Sequence, residues 1–555
     1  MMIQNYDPFH QPALSAAVAA FPILLLLVMI ASGKVKAYWA ALIALAATFI
    51  VAVWAYGMPI DMAGKGTVLG LVGGFFPIGW IIVNVLFLYR LTVDKGHFAV
   101  FQHSMGSVTS DRRMQLLLIA FCFGAFFEGA AGFGTPVAVS AAMLMGLGFS
   151  PLAAAGMSLL ADTATVAFGA LGAPIQGLAA STGLDPFVLG QAIGRQSSIF
   201  SMIIPFYMIW MFCGTRKMLQ VWPAILVAAL AFTIPQFLIS NYSNPYIVDV
   251  AAGGISMAAL VLFLRVWQPR EIMTETALRV ADSSHSEIKK TPPLGMLPTT
   301  REAIAAWIPW LILCLVLIFW ATDYWKHLAA SLFAPVYHVP GLDKQIIVMP
   351  PVVAKPTPLA GAFTFSFLTY SGTGILVSAL IAGIFMRCSP AYLIKSYGRN
   401  FKTVAPSIVT ITAMLALGTL TSLSGADGTL GLAFARTGFL FPFFGTILGW
   451  LGVAATGSDT SSNVLFGGLQ VITAHQLNMS PILMAAANST GGVMGKIISI
   501  SSIVVAATAT GWYGGEGKIL RYVFWSAVLL GVLVGILVML QAYVWPFTLT
   551  VPPGG

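Results

Sequence analysis

The sequence contains few charged residues. Only 8% of its 555 residues are Asp, Glu, Lys or Arg, while 58% are hydrophobic. A soluble globular domain carries about 25% charged residues, so this composition excludes one and predicts a polytopic membrane protein. The net charge of +9 does not indicate nucleic-acid binding. The basic residues lie in short loops between apolar runs, where they act as orientation signals.

Cysteine is also scarce. The four cysteines form no CxxC pair, which argues against a disulfide framework or a thiolate metal site, and we expect neither a metal nor another cofactor. No basic region precedes the first apolar segment, so we expect a membrane span there and not a cleaved signal peptide. The sequence shows no constellation of nucleophile and base, so we do not expect an enzyme.

Long apolar runs are abundant, and a run of about 20 residues can cross a bilayer. Predicted spans lie near 13–32, 37–56, 67–89, 197–214, 219–239, 246–266, 304–321, 361–386, 403–422 and 522–545. With the N-terminus outside, most Lys and Arg residues fall in inside loops. The charge distribution therefore predicts periplasmic N- and C-termini and a cytoplasmic polar segment at 268–303.

Two longer apolar regions, 114–180 and 425–511, are interrupted by glycine, proline and polar residues. Each contains a small-residue stretch, then a Ser-Pro pair (150–151 and 480–481), then an Ala-rich run with a polar triplet. The triplets are 161–163 and 488–490, and we expect the helix to break at each. The predicted fold is an all-α polytopic membrane protein with inverted repeats, each holding a re-entrant hairpin and a broken transmembrane helix.

This pattern predicts a division of the chain into scaffold and transport parts. The N-terminal scaffold spans cover 1–112, and the first hairpin with its broken helix covers 113–196. Scaffold spans, the polar segment and a connecting helix cover 197–440. The second hairpin with its broken helix covers 441–515, and the last span and tail cover 516–555.

Unwound backbone inside a membrane is tolerated where it is buried in protein or lines a cavity. Half-helix N-termini attract a carboxylate, and hydroxyl groups bond both a carboxylate and a neighbouring hydroxyl. Alternatively, the small residues only permit close helix packing. The predicted substrate-binding residues are Gly132, Gly134, Thr135, Thr163, Ser458, Thr460, Ser461, Asn488, Ser489, Thr490 and Lys496.

Four ionisable residues lie well inside the apolar regions: Glu128, Asp162, Asp459 and Lys496. Each costs at least about 2.5–3.5 kcal/mol at the bilayer centre, so each is a functional candidate. The three acids are candidate proton carriers, and the sequence does not choose among them. Lys496 either binds the substrate carboxylate or forms a fixed salt bridge to Asp459 or Asp162. We favour the salt bridge, because a permanent partner lowers the cost of burial.

The stretches "FFEGAAGFGTPVAVSAAMLMGLGFSPLAAAGMSLLADTATVAFGALGAPI" and "ATGSDTSSNVLFGGLQ" closely resemble the bacterial L-lactate permease family, and the resemblance extends over nearly the whole chain. It implies import of L-lactate, with D-lactate and glycolate as further candidates, by proton symport across the bacterial inner membrane. It also implies an elevator-type transporter and a homodimer. A sodium-coupled carboxylate transporter is the alternative, and a channel or membrane-embedded enzyme is the rival from another class.

Overall fold

A computed structural model describes residues 1–31, 34–98, 100, 108–132, 134–274, 299–353, 355–512 and 515–553. This part of the chain is mostly helical. The α-helices are α1 (Pro12–Ala31), α2 (Ala37–Trp54), α3 (Ile60–Gly73), α4 (Trp80–Asp94), α5 (Arg112–Ala130), α6 (Thr135–Gly146), α7 (Pro151–Asp162), α8 (Gly169–Thr182), α9 (Pro186–Cys213), α10 (Thr215–Leu219), α11 (Trp222–Tyr242), α12 (Val248–Val266), α13 (Thr300–Ala321), α14 (Asp323–Leu332), α15 (Ser371–Phe385), α16 (Pro390–Ser424), α17 (Ala426–Ala435), α18 (Phe441–Thr456), α19 (Asp459–Gln476), α20 (Pro481–Gly495), α21 (Ile500–Ala509) and α22 (Glu516–Tyr543).

Ten of the described helical segments are long and apolar enough to cross a membrane, and three bent helix pairs bring the number to 13. Nine of the ten predicted spans coincide with a helix, although the boundaries differ, whereas the span predicted at 361–386 begins with the strand Ala362–Thr364 and is helical only over Ser371–Phe385. The span predicted at 67–89 is part of a longer segment, Ile60–Asp94. A π-turn at Gly74–Gly79 separates α3 from α4, and Phe76 there has non-helical backbone angles. π-Turns of this kind mark bends in long helices.

The prediction of a wholly α-helical chain is wrong in detail, because two small sheets are present. Their strands are Met2–Ile3, Val336–His338, Ile346–Val348, Thr357–Pro358 and Ala362–Thr364. The first strand pairs in parallel with the third, which pairs antiparallel with the fourth, while the second and fifth form an antiparallel pair. The segment between α14 and α15 contains several prolines, which cannot continue a helix and favour extended backbone.

The two interrupted regions share one helical plan. In the first, α5 and α6 form a helix pair and α7 is followed by α8 at a bend of 61°. In the second, α18 and α19 form the pair and α20 is followed by α21 at a bend of 45°. A 3-10 turn lies in each bend, at Val166–Phe168 and at Lys496–Ile498. Each turn begins fifteen residues after the proline that opens the preceding helix, so the two regions share helix order and spacing, and we refer to them as the first and second repeat.

The position of the second break differs from the prediction. The first break falls where predicted, since α7 ends at Asp162. The second triplet, Asn488 to Thr490, is helical and lies inside α20, and the break follows at Lys496–Ile498. Polar side chains do not break a helix when neighbouring helices supply their hydrogen bonds, and the Asn488 and Ser489 side chains bond to residues of α19.

The repeats pack against each other reciprocally. Helix α6 of the first repeat contacts α21 of the second, and α19 of the second contacts α8 of the first. The inverted repeats predicted from the sequence would exchange partners in this way, and the symmetry between the two regions stays a prediction. One large apolar core joins both repeats to α9, α11, α12 and α22, while a separate core joins α1 and α2 to α16 and α17. The membrane side from which each hairpin enters, and the outside position of the termini, stay predictions.

Candidate functional site

A buried ion cluster lies where the two repeats meet. The Nζ atom of Lys496 is 3.2 Å from Oε1 of Glu128 and 2.9 Å from Oδ2 of Asp162. All three residues are buried. The structure thus brings together three of the four ionisable residues that the sequence singled out. The favoured salt bridge from Lys496 to Asp162 is present, and Glu128 is a second partner that the sequence did not predict.

Helix ends and turns position these charges. Asp162 is the last residue of α7, and Lys496 is the first residue of the 3-10 turn after α20. Glu128 lies near the end of α5, just before the turn in which Gly132 and Gly134 adopt positive φ angles of 59° and 79°. Gly169 allows this arrangement, because a Cβ atom built there would lie 2.4 Å from Oε1 of Glu128.

A third acid, Asp249, belongs to this cluster and was missed from the sequence. It is the second residue of α12 and has no exposed surface. A Cβ atom built on Gly129 would lie 2.7 Å from Cβ of Asp249, so α5 and α12 are in close contact at this point. Gly129 follows Glu128 in the chain, so this contact places Asp249 beside the ion cluster. The sequence does contain a signal for this site, because Asp249 is an acid inside the apolar run 246–266. That run was predicted to be an ordinary membrane span.

The fourth predicted residue, Asp459, lies in a separate polar network. Its Oδ2 atom accepts hydrogen bonds from Oγ of Ser489 at 2.6 Å and from Nδ2 of Asn463 at 3.2 Å. Asn488 donates to Oδ1 of Asn463 at 2.9 Å, and Gln470 donates to Oδ1 of Asn488 at 3.2 Å. Within the described residues, Asp459 makes no ion pair with Lys496, which leaves the alternative salt bridge to Asp459 without support.

The predicted tip residues occupy the turns of the two helix pairs. Ser458 is the N-cap of α19, and its Oγ atom accepts from the backbone N–H of Ser461. The backbone N–H of Thr135, the first residue of α6, donates to the carbonyl of Gly132 at 3.0 Å. These contacts explain the local folding, and the role of the tips in substrate binding stays a prediction.

The remaining predicted residues are all buried. Thr163 donates from Oγ1 to the carbonyl of Leu160 at 2.6 Å. Thr460 packs against α8, where its methyl group lies 3.0 Å from a Cβ atom built on Gly177. Oγ1 of Thr490 is buried and has no hydrogen-bond partner among the described residues, and its role in substrate binding stays a prediction.

A cavity of about 460 Å³ approaches the cluster at Tyr246, which lies just before α12, although no residue of the cluster lines it. Its wall also includes Gln176 of α8, whose amide donates a hydrogen bond to the Tyr246 hydroxyl. Lys326 and His327 of α14 line the same cavity. The cavity is larger than a small carboxylate such as lactate, and Lys326 contributes a positive charge to its wall.

The comparisons with known proteins decide the family. The pattern of the family described as L-lactate permease matches residues 15–545. The chain belongs to the L-lactate permease family. It is 42% identical to the glycolate permease GlcA of Escherichia coli K12 over 555 residues, covering 98% of each chain. It is 41% identical to the L-lactate permease of Salmonella typhimurium LT2 over 554 residues, again covering 98% of each chain.

A further relative, the L-lactate permease of Bacillus subtilis 168, is 40% identical over 570 residues, with 98% of each chain covered. Among solved structures, the YdaH transporter of Alcanivorax borkumensis is similar at a TM-score of 0.42 and 12% identity, over 85% of this chain and 86% of that chain. A similarity that weak does not establish a shared fold.

Membership of the L-lactate permease family confirms the resemblance found in the sequence. The relatives are permeases, so this chain is a transporter and not an enzyme. The apolar helices of the described chain make it a multi-pass membrane protein. The ion cluster, the Asp459 network and the cavity are therefore candidate parts of a transport site.

Proposed function

We propose that the protein imports small 2-hydroxy monocarboxylates, L-lactate first and D-lactate or glycolate next, by proton symport across the bacterial inner membrane. The names of the relatives support this substrate class. Identity to the glycolate permease is 42% and identity to the L-lactate permease of Salmonella typhimurium is 41%, so similarity does not choose between the two substrates.

The observation that carries the proposal is the shared lysine. Lys496 is the only cation in contact with Glu128 and Asp162 in the described residues. An anionic substrate that binds Lys496 must compete with one of these carboxylates. Uncompensated buried charge costs several kcal/mol per ion, so anion binding needs a simultaneous source of positive charge. A proton bound by an acid of the site supplies that charge and links anion uptake to proton uptake.

The hydroxyl and amide groups near the second repeat complete the proposed binding site. The Thr490 hydroxyl and the network around Asp459 offer donors and acceptors to the substrate hydroxyl. The turn residues Gly132, Gly134, Thr135, Ser458, Thr460 and Ser461 are proposed to close the two sides of the site. We propose that the transport parts, 113–196 and 441–515, move together against the remaining spans of a homodimer.

Reconstituted protein tests this function directly. Proteoliposomes with an acidic exterior should accumulate labelled L-lactate or glycolate, and a protonophore should abolish the accumulation. Uptake that needs a sodium gradient and is insensitive to the protonophore would instead establish the sodium-coupled alternative. Counterflow of unlabelled against labelled substrate should be saturable, and its absence would favour a channel.

A further inference from the structure

We propose that Asp249 is the residue that binds the coupled proton. This inference rests on the proposed function, because it concerns the proton of the symport cycle. The sequence suggested Glu128, Asp162 or Asp459 as the proton carrier. The inference departs from that choice because the contacts of Asp249 differ from the contacts of those three acids.

Asp249 differs from the other buried acids in lacking a partner. Glu128 and Asp162 each contact Lys496, and Asp459 accepts hydrogen bonds from Ser489 and Asn463. Neither oxygen of Asp249 has a hydrogen-bond partner among the described residues, although the residue is fully buried. An ionised carboxylate without a partner is strongly disfavoured in such a place, whereas a protonated one is neutral.

The charged groups near Asp249 come from three elements. Helix α5 contributes Glu128, whose neighbour Gly129 packs on Asp249, while Glu128 contacts Lys496 of the turn after α20, which in turn contacts Asp162 of α7. Helix α8 has no titratable residue, and the only one in α11, Tyr242, is exposed. With Asp249 ionised, this buried region holds three carboxylates and one lysine, of which Glu128 and Asp162 contact the lysine. With Asp249 protonated, one negative charge is removed.

This change in charge explains how a proton and an anion bind together. Ionised Asp249 adds a negative charge beside the cluster and so repels a substrate carboxylate. Protonation of Asp249 forms one O–H bond with a proton taken from water, and it lowers the barrier for the substrate to reach Lys496. Release of the proton on the other side breaks that bond and expels the anion. No other chemical change is required.

The chain places Asp249 close to a cavity. Tyr246, three residues earlier in the chain, lines the 460 Å³ cavity, and Asp249 itself is not part of the cavity wall. Gly129 and Gly253 bring α5 and α12 into backbone contact, with Cβ atoms built on them lying 2.6 Å from the nitrogen of Val250 and 2.4 Å from the nitrogen of Phe126. A proton that reaches Asp249 from the cavity would have to pass this tightly packed contact.

The test compares Asp249→Asn with Asp427→Asn in proteoliposomes. Asp427 is the matched control, since it is also a buried acid in the first turn of a helix, α17, and it makes no ion pair with the cluster. Asparagine imitates the protonated form. We expect Asp249→Asn to keep lactate counterflow but to lose the acceleration of uptake by a proton gradient. The control variant should keep both.

The outcomes separate this inference from the proposed function. If the wild-type protein shows no proton-driven uptake of any 2-hydroxy acid, the proposed function fails. If the wild type is proton-driven and Asp249→Asn remains so, Asp249 is not the proton site.

Asp249→Glu covers the case in which the asparagine variant does not fold. It should retain proton-driven uptake, and its infrared spectrum should show a protonated carboxyl band shifted from that of the wild type. An unshifted band would overturn the inference.

Discussion

Replacement of Lys496 by methionine tests the ion cluster most directly. Methionine keeps the length of the side chain and removes its charge. Two buried carboxylates, on Glu128 and Asp162, then lose a partner that lies at 3.2 Å and 2.9 Å. At an effective dielectric constant of about 20, each lost attraction amounts to about 5 kcal/mol.

The net loss of stability should be smaller than the sum of these attractions. The lysine no longer has to be desolvated, and the released carboxylates can take up protons. Removing one partner of a buried ion pair typically costs about 3–5 kcal/mol, which is the loss we expect for Lys496→Met. Thermal unfolding of the purified protein in detergent measures it. Lys395→Met, a change at an exposed lysine of α16, should leave the unfolding temperature unchanged.

A compensated variant distinguishes stability from transport. Combining Lys496→Met with Glu128→Gln and Asp162→Asn removes all three charges, so most of the lost stability should return. Lactate counterflow should not return, because the proposed partner of the substrate carboxylate is still missing. Wild-type stability of Lys496→Met alone would refute the energetic reasoning. Wild-type transport by the triple variant would refute the role of Lys496.

Two further substitutions test buried contacts outside the ion cluster. Arg113, which is 1% exposed, contacts Asp111 at 2.7 Å, so Arg113→Met should destabilise the protein by about 3–5 kcal/mol; an unchanged unfolding temperature would contradict this. A Cβ atom built on Gly449 would lie 2.1 Å from the carbonyl oxygen of Asn488, so Gly449→Ala should cost about 1–3 kcal/mol. Gly64→Ala, at a helical position where a Cβ atom meets nothing within 4 Å, is the control and should not lower the unfolding temperature, because alanine favours a helix more than glycine does.

The spans could be predicted because each depends on local composition. A run of about 20 apolar residues has few alternatives to a membrane helix. Helices α1, α2, α11 and α12 therefore begin and end close to the predicted boundaries. The Ser-Pro pairs were equally informative, since Ser150 and Ser480 do cap α7 and α20. Capping is decided within one helical turn, so it can be read from a few neighbouring residues.

The contacts of the site could not be predicted, because they join residues that are far apart in the chain. Several buried acids could pair with Lys496 as far as the sequence shows. The packing of α5 and α7 against the second break determines that Glu128 and Asp162 are its partners. The triplet at 488–490 misled the placement of that break. Its side chains were polar enough to suggest unwinding, but α19 supplies their hydrogen bonds and the backbone stays helical.

The two repeats are alike in their backbone and unlike in their charge. Val166 and Lys496 open equivalent 3-10 turns, one apolar and one cationic, while both acids paired with Lys496 come from the first repeat. Neither repeat alone therefore contains the ion cluster. The charges are partly compensated only across the contact between the repeats, where one lysine faces two carboxylates and any relative movement would separate them. A substrate anion and a proton that enter together leave the net charge of this contact unchanged, so the divided charges support our proposal that the two repeats move as one loaded unit.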